Sequence, residues 1–301
     1  MKPTRRQFIG SAIGLAAAAW ARPRFVTATT IVEPKRPIVD FHAHLFGIGD
    51  GDTGCYLSRS QKQHVTYSFF LRLLSVAENG RFDQQYLERI VAQLQASSLD
   101  RAVLLAQDCR YDSEGRPDHA NTSFYVPNDY LFQVTQRFPS LIIPCVSINP
   151  SRREAIDELE RCVEQRARVL KIHPPIQNVD PGEARYLPFY RKCAELNVIV
   201  MVHTGTEHSA EIVGNEFSSP RRLIAPLEEG CIVVAAHSGM SAFYDKEDFF
   251  PELVEMIRRF PRLYCDTAVL ASKFRWKCLP RMLDHEEVLE RAVYGSDSPF
   301  P

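Results

Sequence analysis

The sequence of 301 residues lacks several patterns that would assign a protein to a common class. Its formal net charge is only −1, and no basic stripe with interleaved aromatic residues is present. A nucleic acid or a strongly charged partner is therefore not indicated. No apolar run is long enough for a stable membrane span. The chain also has no internal repeats.

The eight cysteines do not form a recognisable framework. There is no CxxC pair of the kind seen in metal or redox motifs. Cys145, Cys231 and Cys265 lie in apolar runs, where cysteine usually acts as a small buried hydrophobe. We expect free, mostly buried thiols, with a disulfide between Cys55 and Cys109 as the open alternative. No G-x-S-x-G elbow is present either, so a serine nucleophile is not indicated.

The N-terminal residues have the order of an export signal. Arg5 and Arg6 precede a modestly apolar stretch over residues 8–19 and a small-x-small cleavage pattern, AWA. This order resembles a bacterial twin-arginine signal. We expect residues 1–30 to be a signal and disordered segment and residues 31–301 to form one folded domain, located in the periplasm or secreted. The alternative is an uncleaved, weakly apolar helix.

After this segment, short apolar runs alternate with helical patterns. The runs have no polar alternation, which is typical of parallel strands that are buried on both faces. The predicted strands are residues 38–42, 102–106, 141–148, 169–172, 198–203, 232–237, 263–266 and 292–294. The predicted helices include residues 83–97, 128–137, 183–196, 220–229 and 247–260. This alternation predicts an α/β fold, a (β/α)₈ TIM barrel, with an open doubly wound sheet as the alternative.

The sequence stops shortly after the eighth predicted strand, at Pro301. We therefore expect a barrel that lacks its last helix, in a truncated chain. An apolar flank would then be exposed unless another part of the protein or a partner covers it. A homo-oligomer is left open.

Histidines and one aspartate close four of the apolar runs. The segments are PIVDFHAH with His42 and His44, VIVMVHTG with His203, CIVVAAHSG with His237, and RAVYGSDSP with Asp297. Side chains at i and i+2 of a strand point the same way, so an HxH pair offers two ligands to one ion. A barrel brings all strand ends to one rim, and imidazole and carboxylate are ligands of zinc. The pattern predicts a metal-dependent enzyme.

The segments DFHAH, LKIHPP, VMVHTG, AAHSG and YGSDSP, in this order, resemble the amidohydrolase superfamily. They are most similar to its amidohydrolase-related branch, which includes the aminocarboxymuconate-semialdehyde decarboxylase group. The resemblance implies a TIM barrel in which His42, His44, His203 and Asp297 bind the metal. It also implies that His237 is the catalytic histidine of the sixth strand.

Three further residues are candidates for the site. The resemblance implies that Lys171 is a carboxylated bridge between two metals, and the open alternatives are an anchor for a substrate carboxylate and a salt-bridge partner. His173, two residues later, points to the same side of the strand and is a candidate for substrate binding. Arg110, in the long loop after the second strand, is a candidate anchor for an acidic substrate. We favour a single divalent metal, most simply one Zn²⁺.

The favoured function is hydrolysis of a small ester, lactone or amide by metal-activated water. Asp297 would take the proton of the water and pass it to the leaving group, as a general base. His237 would hydrogen-bond the carbonyl oxygen or the water. The alternative is a metal-dependent decarboxylase of an unsaturated or aromatic acid. A third hypothesis is an exported binding or scaffold protein with a decayed site. The predicted partner of the enzyme is a small-molecule substrate.

Overall fold

Eight parallel strands form the central sheet of the computed structural model, which describes residues 36–299. Their bounds are β1 Val39–His44, β2 Arg101–Leu105, β3 Ile142–Ser147, β4 Val169–Ile172, β5 Ile199–His203, β6 Val233–Ala236, β7 Leu263–Asp266 and β8 Ala292–Val293. Each strand pairs in parallel with the next one along the chain. The eight strands predicted from the sequence are all present, with ends shifted by two residues at most.

The first and last strands close the sheet into a ring. The backbone N–H of Phe41 donates to the carbonyl of Tyr294 over 2.8 Å, and that of His44 donates to the carbonyl of Ser298 over 2.7 Å. A parallel bridge between Ala43 and Ser298 continues the same pairing. The (β/α)₈ barrel is therefore confirmed, and the open doubly wound sheet is wrong.

Helices connect consecutive strands and surround the ring, because parallel strands need a crossover to return to the same end. Their bounds are α1 Arg59–Gln63, α2 Val65–Leu74, α3 Phe82–Ala96, α4 Asn128–Arg137, α5 Ala155–Glu164, α6 Pro174–Gln177, α7 Leu187–Glu195, α8 Ile224–Glu228, α9 Phe250–Arg259, α10 Cys278–Leu283 and α11 Glu286–Leu289. Short 3₁₀ turns are Ala184–Tyr186, Asn215–Ser218, Pro220–Leu223 and His237–Gly239. Within residues 36–299, no helix is long and apolar enough to cross a membrane.

Apolar side chains form two layers, one inside the ring and one between the ring and the helices. The inner layer is made by Val103, Leu105, Cys145, Val169, Met201, Val234 and Ala236. Helix α4 illustrates the outer layer: Tyr130, Leu131 and Val134 are buried at helical spacing. Its acidic Asp129 lies in the first turn and its basic Arg137 in the last, where each favours the helix dipole.

A bulge in β1 aims the HxH pair into the ring. The register with β2 shifts between Asp40 and Ala43. Phe41 packs against the inner layer, whereas Ala43 belongs to the outer layer. Regular strand geometry sends neighbouring side chains to opposite faces. The extra residue allows both Phe41 and His42 to point inward, and His44 follows on the same side of the strand.

Two long loops join above the barrel. Tyr56–Leu57, in the loop after β1, pairs antiparallel with Phe124–Tyr125, in the loop after β2. The eight cysteines are all free and buried, as the sequence predicted, and the alternative of a Cys55–Cys109 disulfide is wrong. The export signal predicted for residues 1–30 lies outside the described residues and stays a prediction.

Candidate active site

A cavity of about 230 Å³ opens at the carboxyl ends of the strands. Its floor is polar and carries most of the side chains named from the sequence: His44, Lys171, His173, His203, His237 and Asp297. Its mouth is apolar and is lined by residues that include Phe69, Phe70, Leu73, Phe124, Tyr244 and Phe274. The structure therefore gathers strand ends that are far apart in the sequence around one small space.

Three predicted ligands meet at one point of this floor. Nε2 of His42 lies 3.2 Å from Nε2 of His44, and both nitrogens lie 3.2 Å from Oδ1 of Asp297. Donor atoms bound to one tetrahedral zinc ion are roughly 3.3 Å apart. The spacing of these three atoms thus fits a single ion placed between them.

Asp266, at the end of β7, fixes the orientation of His42. Its Oδ2 accepts a hydrogen bond from Nδ1 of His42 over 2.8 Å. Its Oδ1 accepts from the backbone N–H groups of His237 and Ala268 over 2.7 and 3.1 Å. Because Nδ1 of His42 donates, its Nε2 presents a lone pair to His44 and Asp297. A carboxylate behind a histidine ligand is typical of metal sites.

His237 follows β6 in a tight turn with a left-handed backbone, φ +63°. Its Nδ1 lies 3.3 Å from the carbonyl of Ala268, so Nδ1 donates and Nε2 keeps a lone pair. Burial, with His42, Arg275 and Lys171 nearby, holds the pKa of His237 well below its usual value. The ring is therefore neutral, and its centre lies 4.9 Å from the ring of His42.

His203 lies beside a second group of side chains. Its ring centre is 4.7 Å from that of His237 and 4.4 Å from that of His173. Its Nδ1 is 3.6 Å from Oε2 of Glu207, which is also 2.8 Å from Nε2 of His173. Both ring nitrogens of His203 are buried without a hydrogen-bond partner among the described residues. The sequence placed His203 with His42; in the structure its nearest partners are His173 and Glu207.

Lys171 closes the floor between the two groups. Its side chain is buried at the end of β4, with Nζ 3.3 Å from Nε2 of His42. Burial lowers the pKa of Lys171, against the raising effect of Asp266 and Asp297. This position suits either role predicted for Lys171, as a bridge or as an anchor.

Comparison with protein families decides the membership of the chain. The profile of the amidohydrolase family matches residues 39–301. The chain belongs to the amidohydrolase family. This membership confirms the resemblance read from the five sequence segments.

Solved structures support the same fold for this amidohydrolase. An uncharacterised TIM-barrel protein from Bordetella bronchiseptica is 16% identical, with a TM-score of 0.63 over 87% of this chain and 86% of that chain. A protein assigned as a 2-pyrone-4,6-dicarboxylic acid hydrolase from Pseudomonas putida is 19% identical, with a TM-score of 0.56 over 88% and 83%. The 5-carboxyvanillate decarboxylase of Sphingomonas paucimobilis is 14% identical, with a TM-score of 0.54 over 88% and 89%. Comparison with curated proteins found no significant match.

The structure of this amidohydrolase does not bring Arg110 to the cavity. Its Nε donates to the carbonyl of Ile176 over 2.6 Å and its Nη2 to that of Glu211 over 3.0 Å. The guanidinium thus joins two loops and is not among the groups that line the cavity. The side chain that the sequence placed there as an anchor instead holds the loops after β4 and β5 together.

Arg275, which sequence reasoning missed, is the arginine that lines the cavity. It is 8% exposed and donates to the carbonyls of Met240 over 2.8 Å and Thr206 over 2.6 Å. Its segment, KFRWK, has no pattern that distinguishes a buried arginine from an exposed one. Asp266 and Glu207 were missed too, because one looked like the last residue of a strand and the other like a loop carboxylate.

Proposed function

We propose that this amidohydrolase hydrolyses a small ester, lactone or amide with a divalent metal, most simply one Zn²⁺. The observation that carries the proposal is the meeting of His42 Nε2, His44 Nε2 and Asp297 Oδ1 at mutual distances of 3.2 Å. Imidazole nitrogen and carboxylate oxygen are ligand atoms that a zinc-type cation accepts, and this spacing suits one ion.

The donor set fits a zinc-type ion. His42, His44 and Asp297 would hold it, with His203 as the fourth ligand implied by the family resemblance. When bound, such an ion supplies Lewis-acid chemistry, since it polarises a carbonyl and makes water more acidic.

The protein's own side chains have separable roles. Asp297 lines the cavity and is the carboxylate that takes a proton from the attacking water and returns it to the leaving group. His237 is neutral and has a free lone pair at Nε2, so it accepts a hydrogen bond from the water rather than donating one to the carbonyl. The apolar mouth keeps bulk water away from the floor.

The second candidate function is decarboxylation of an unsaturated or aromatic acid. Two cationic side chains, Lys171 and Arg275, line the cavity and suit a carboxylate substrate. One structural neighbour, the enzyme from Sphingomonas paucimobilis, is a decarboxylase of an aromatic acid. Both reactions would use the same histidines.

The test is a substrate panel on zinc-loaded protein. Esters, lactones and amides are followed by acid release, and hydroxybenzoates by release of CO₂. Hydrolysis without CO₂ supports the proposal, and the reverse result replaces it with the decarboxylase. Asp297→Asn, assayed with metal bound, should lower kcat by about 10²- to 10⁴-fold, the usual contribution of a general base. Full turnover by that variant would contradict the assignment.

We also propose that the protein is exported in a folded state, on the strength of the Arg5–Arg6 pair and the apolar stretch after it. Cell fractionation tests this, with Arg5→Lys and Arg6→Lys changed together as the comparison. Retention of the double variant in the cytoplasm supports the proposal. Equal export of both proteins, or of neither, contradicts it.

A further inference from the structure

The mouth of the cavity is an apolar surface that the protein leaves partly open to solvent. Phe69, Leu73, Tyr244 and Phe274 line it, and each is about half exposed. Single apolar residues on a protein surface are common and need no explanation. A cluster of large apolar side chains around a cavity, in contrast, is typical of a surface that binds a ligand.

Helix α2 supplies one part of this surface. Phe69 and Leu73 are four residues apart, so they lie on the same face of the helix and form a stripe about 6 Å long. Phe70 lies deeper, buried against Phe46 with ring centres 5.0 Å apart. The apolar surface is thus continuous from the buried wall of the cavity to its open edge.

The loops after β6 and β7 supply another part. The backbone N–H of Phe243 donates to the carbonyl of Phe274 over 3.0 Å, which joins the two loops. The ring of Tyr244 meets that of Phe274 edge to face, with centres 6.5 Å apart. Aromatic rings held by such contacts lose little further freedom when a ligand binds.

Three of the polar side chains at the mouth already have partners within the protein. Oγ1 of Thr66 donates to the carbonyl of Ser209 over 3.1 Å. Nε2 of His208 lies 3.0 Å from the carboxylate of Asp245. Nη1 and Nη2 of Arg275 each donate to a backbone carbonyl. A charged chain on this surface would lose hydration, whereas an apolar chain gains free energy by leaving water.

The size of the cavity decides how far a ligand extends. Its volume of about 230 Å³ is small. Cavities that enclose a ligand of ordinary size have roughly 300–1,000 Å³. The cavity therefore holds the reacting group and a few carbon atoms, and a longer chain has to lie along the stripe of Phe69 and Leu73.

We propose that this amidohydrolase acts on an ester, lactone or amide that carries an uncharged apolar chain, and that Phe69 and Leu73 select this chain. The inference rests on the proposed function and adds the class of substrate. The carbonyl group of the substrate lies at the polar floor, and the chain follows the stripe to the open edge. Phe69 and Leu73 determine specificity and take no part in the chemistry.

The experiment measures how the rate depends on chain length. Zinc-loaded protein is assayed with two series of esters, one lengthened from acetyl to hexanoyl and the other lengthened in the alcohol. In at least one series, kcat/KM should rise about two- to fourfold per methylene, because a fully buried methylene gives about fourfold and one on an open edge gives less. The rise should appear in KM, since the chain makes the same contacts before and during the reaction.

Variants of α2 locate the effect. Phe69→Gln and Leu73→Gln should each reduce the ratio of kcat/KM between the longest and the shortest ester by roughly fivefold to tenfold, through lost apolar contact. The matched control is Val65→Gln. Val65 lies on the same helix and is more exposed, but it is not among the residues that line the cavity. This control should keep the wild-type ratio, and thermal unfolding checks that all three variants fold.

A flat dependence on chain length in wild type, or an unchanged ratio in both Phe69→Gln and Leu73→Gln, would overturn the inference. A flat dependence together with a dimer that dissociates in Leu73→Gln would mean that the stripe binds a second copy of the chain instead. Light scattering measures that dissociation.

Methyl ketones from 2-butanone to 2-octanone separate this inference from the proposed function. They keep the carbonyl group and the chain but have no bond to hydrolyse, and calorimetry measures their affinity. If no ester, lactone or amide is hydrolysed, the proposed function fails, and the ketones still decide the inference. Affinity that rises with chain length supports it, and affinity that does not rise overturns it. Hydrolysis of all esters at equal kcat/KM leaves the proposed function and removes the inference.

Discussion

Asp266 holds the imidazole of His42 by a 2.8 Å hydrogen bond to Nδ1, although the two residues lie on β7 and β1. We expect Asp266→Asn to weaken metal binding by about 10- to 100-fold, the usual effect of losing a carboxylate behind a histidine ligand. The amide can offer its own N–H to His42 and so favour the wrong tautomer. Competition with a chromogenic chelator measures the affinity.

The control for Asp266→Asn is Asp248→Asn. Asp248 is an exposed carboxylate paired with Arg281 at the surface. If both variants bound metal as wild type does, the role given to Asp266 would be wrong.

A second prediction concerns Gly205, which lies in the loop that follows β5. Its φ is +85°, and an added Cβ would collide with the carbonyl oxygen of Met240. Gly80 has a similar φ of +79° but nothing within 4 Å of an added Cβ. Gly80→Ala should cost about 1 kcal/mol from left-handed strain alone. Gly205→Ala should cost about 2–4 kcal/mol, since overpacking adds to that strain. Urea unfolding, with m-values unchanged, measures the free energy of unfolding of both variants. Equal decreases in the two variants would contradict the predicted collision with Met240.

The third prediction concerns the guanidinium of Arg275, which donates to two carbonyls in the loops after β5 and β6. Arg275→Met leaves both carbonyls without their charged donor, which should cost about 2–4 kcal/mol in the free energy of unfolding. Arg281→Met removes a surface pair with Asp248 and should cost much less. A loss in Arg275→Met no greater than in Arg281→Met would show that the buried contacts contribute little.

The fourth prediction concerns the thiols. Burial raises the pKa of Cys145 to about 12, and the same holds for Cys55, Cys231 and Cys265. A raised thiol pKa means that the thiolate forms only as the pH approaches 12. At pH 8 its fraction is on the order of one in ten thousand. The native protein should therefore react very slowly with a disulfide reagent, and the initial rate should rise about tenfold per pH unit.

After denaturation, all eight cysteines should react, with or without prior reduction. A count of six without reductant would reveal a disulfide. Rapid reaction of the native protein would show that at least one thiol is accessible.

Much of the fold could be predicted from the sequence because its signals are local. Runs such as 169–172 and 263–266 match β4 and β7 to the residue. Helix α4 begins at Asn128, directly after Pro127, as predicted. The segment 183–196 is instead a 3₁₀ turn followed by α7, since Pro188 falls in the first turn of α7 and favours a new start there. Helix α2 was not predicted, and its Phe69 and Leu73 line the cavity mouth.

The site was less predictable than the barrel, because its details depend on contacts between distant segments. Strand ends identified His42, His44 and Asp297, and the barrel then brought them together. The β1 bulge, the 2.8 Å bond to Asp266 and the return of Glu207 over His203 have no local signature. Arg110 was chosen for its charge and its loop, but backbone carbonyls of other loops bind it.

The seam between β1 and β8 is spanned by the same residues that face the proposed ion. His44 and Asp297 are 253 positions apart, and backbone bonds at the seam run beside them. A cation bound by both side chains would link β1 to β8 and so connect the first and last strands of the barrel. Because such an ion binds the folded barrel and not the unfolded chain, its binding free energy adds to the stability of the closed ring. Loss of the cation should therefore allow local unfolding first between β1 and β8. The complete site can form only after β8 has paired with β1.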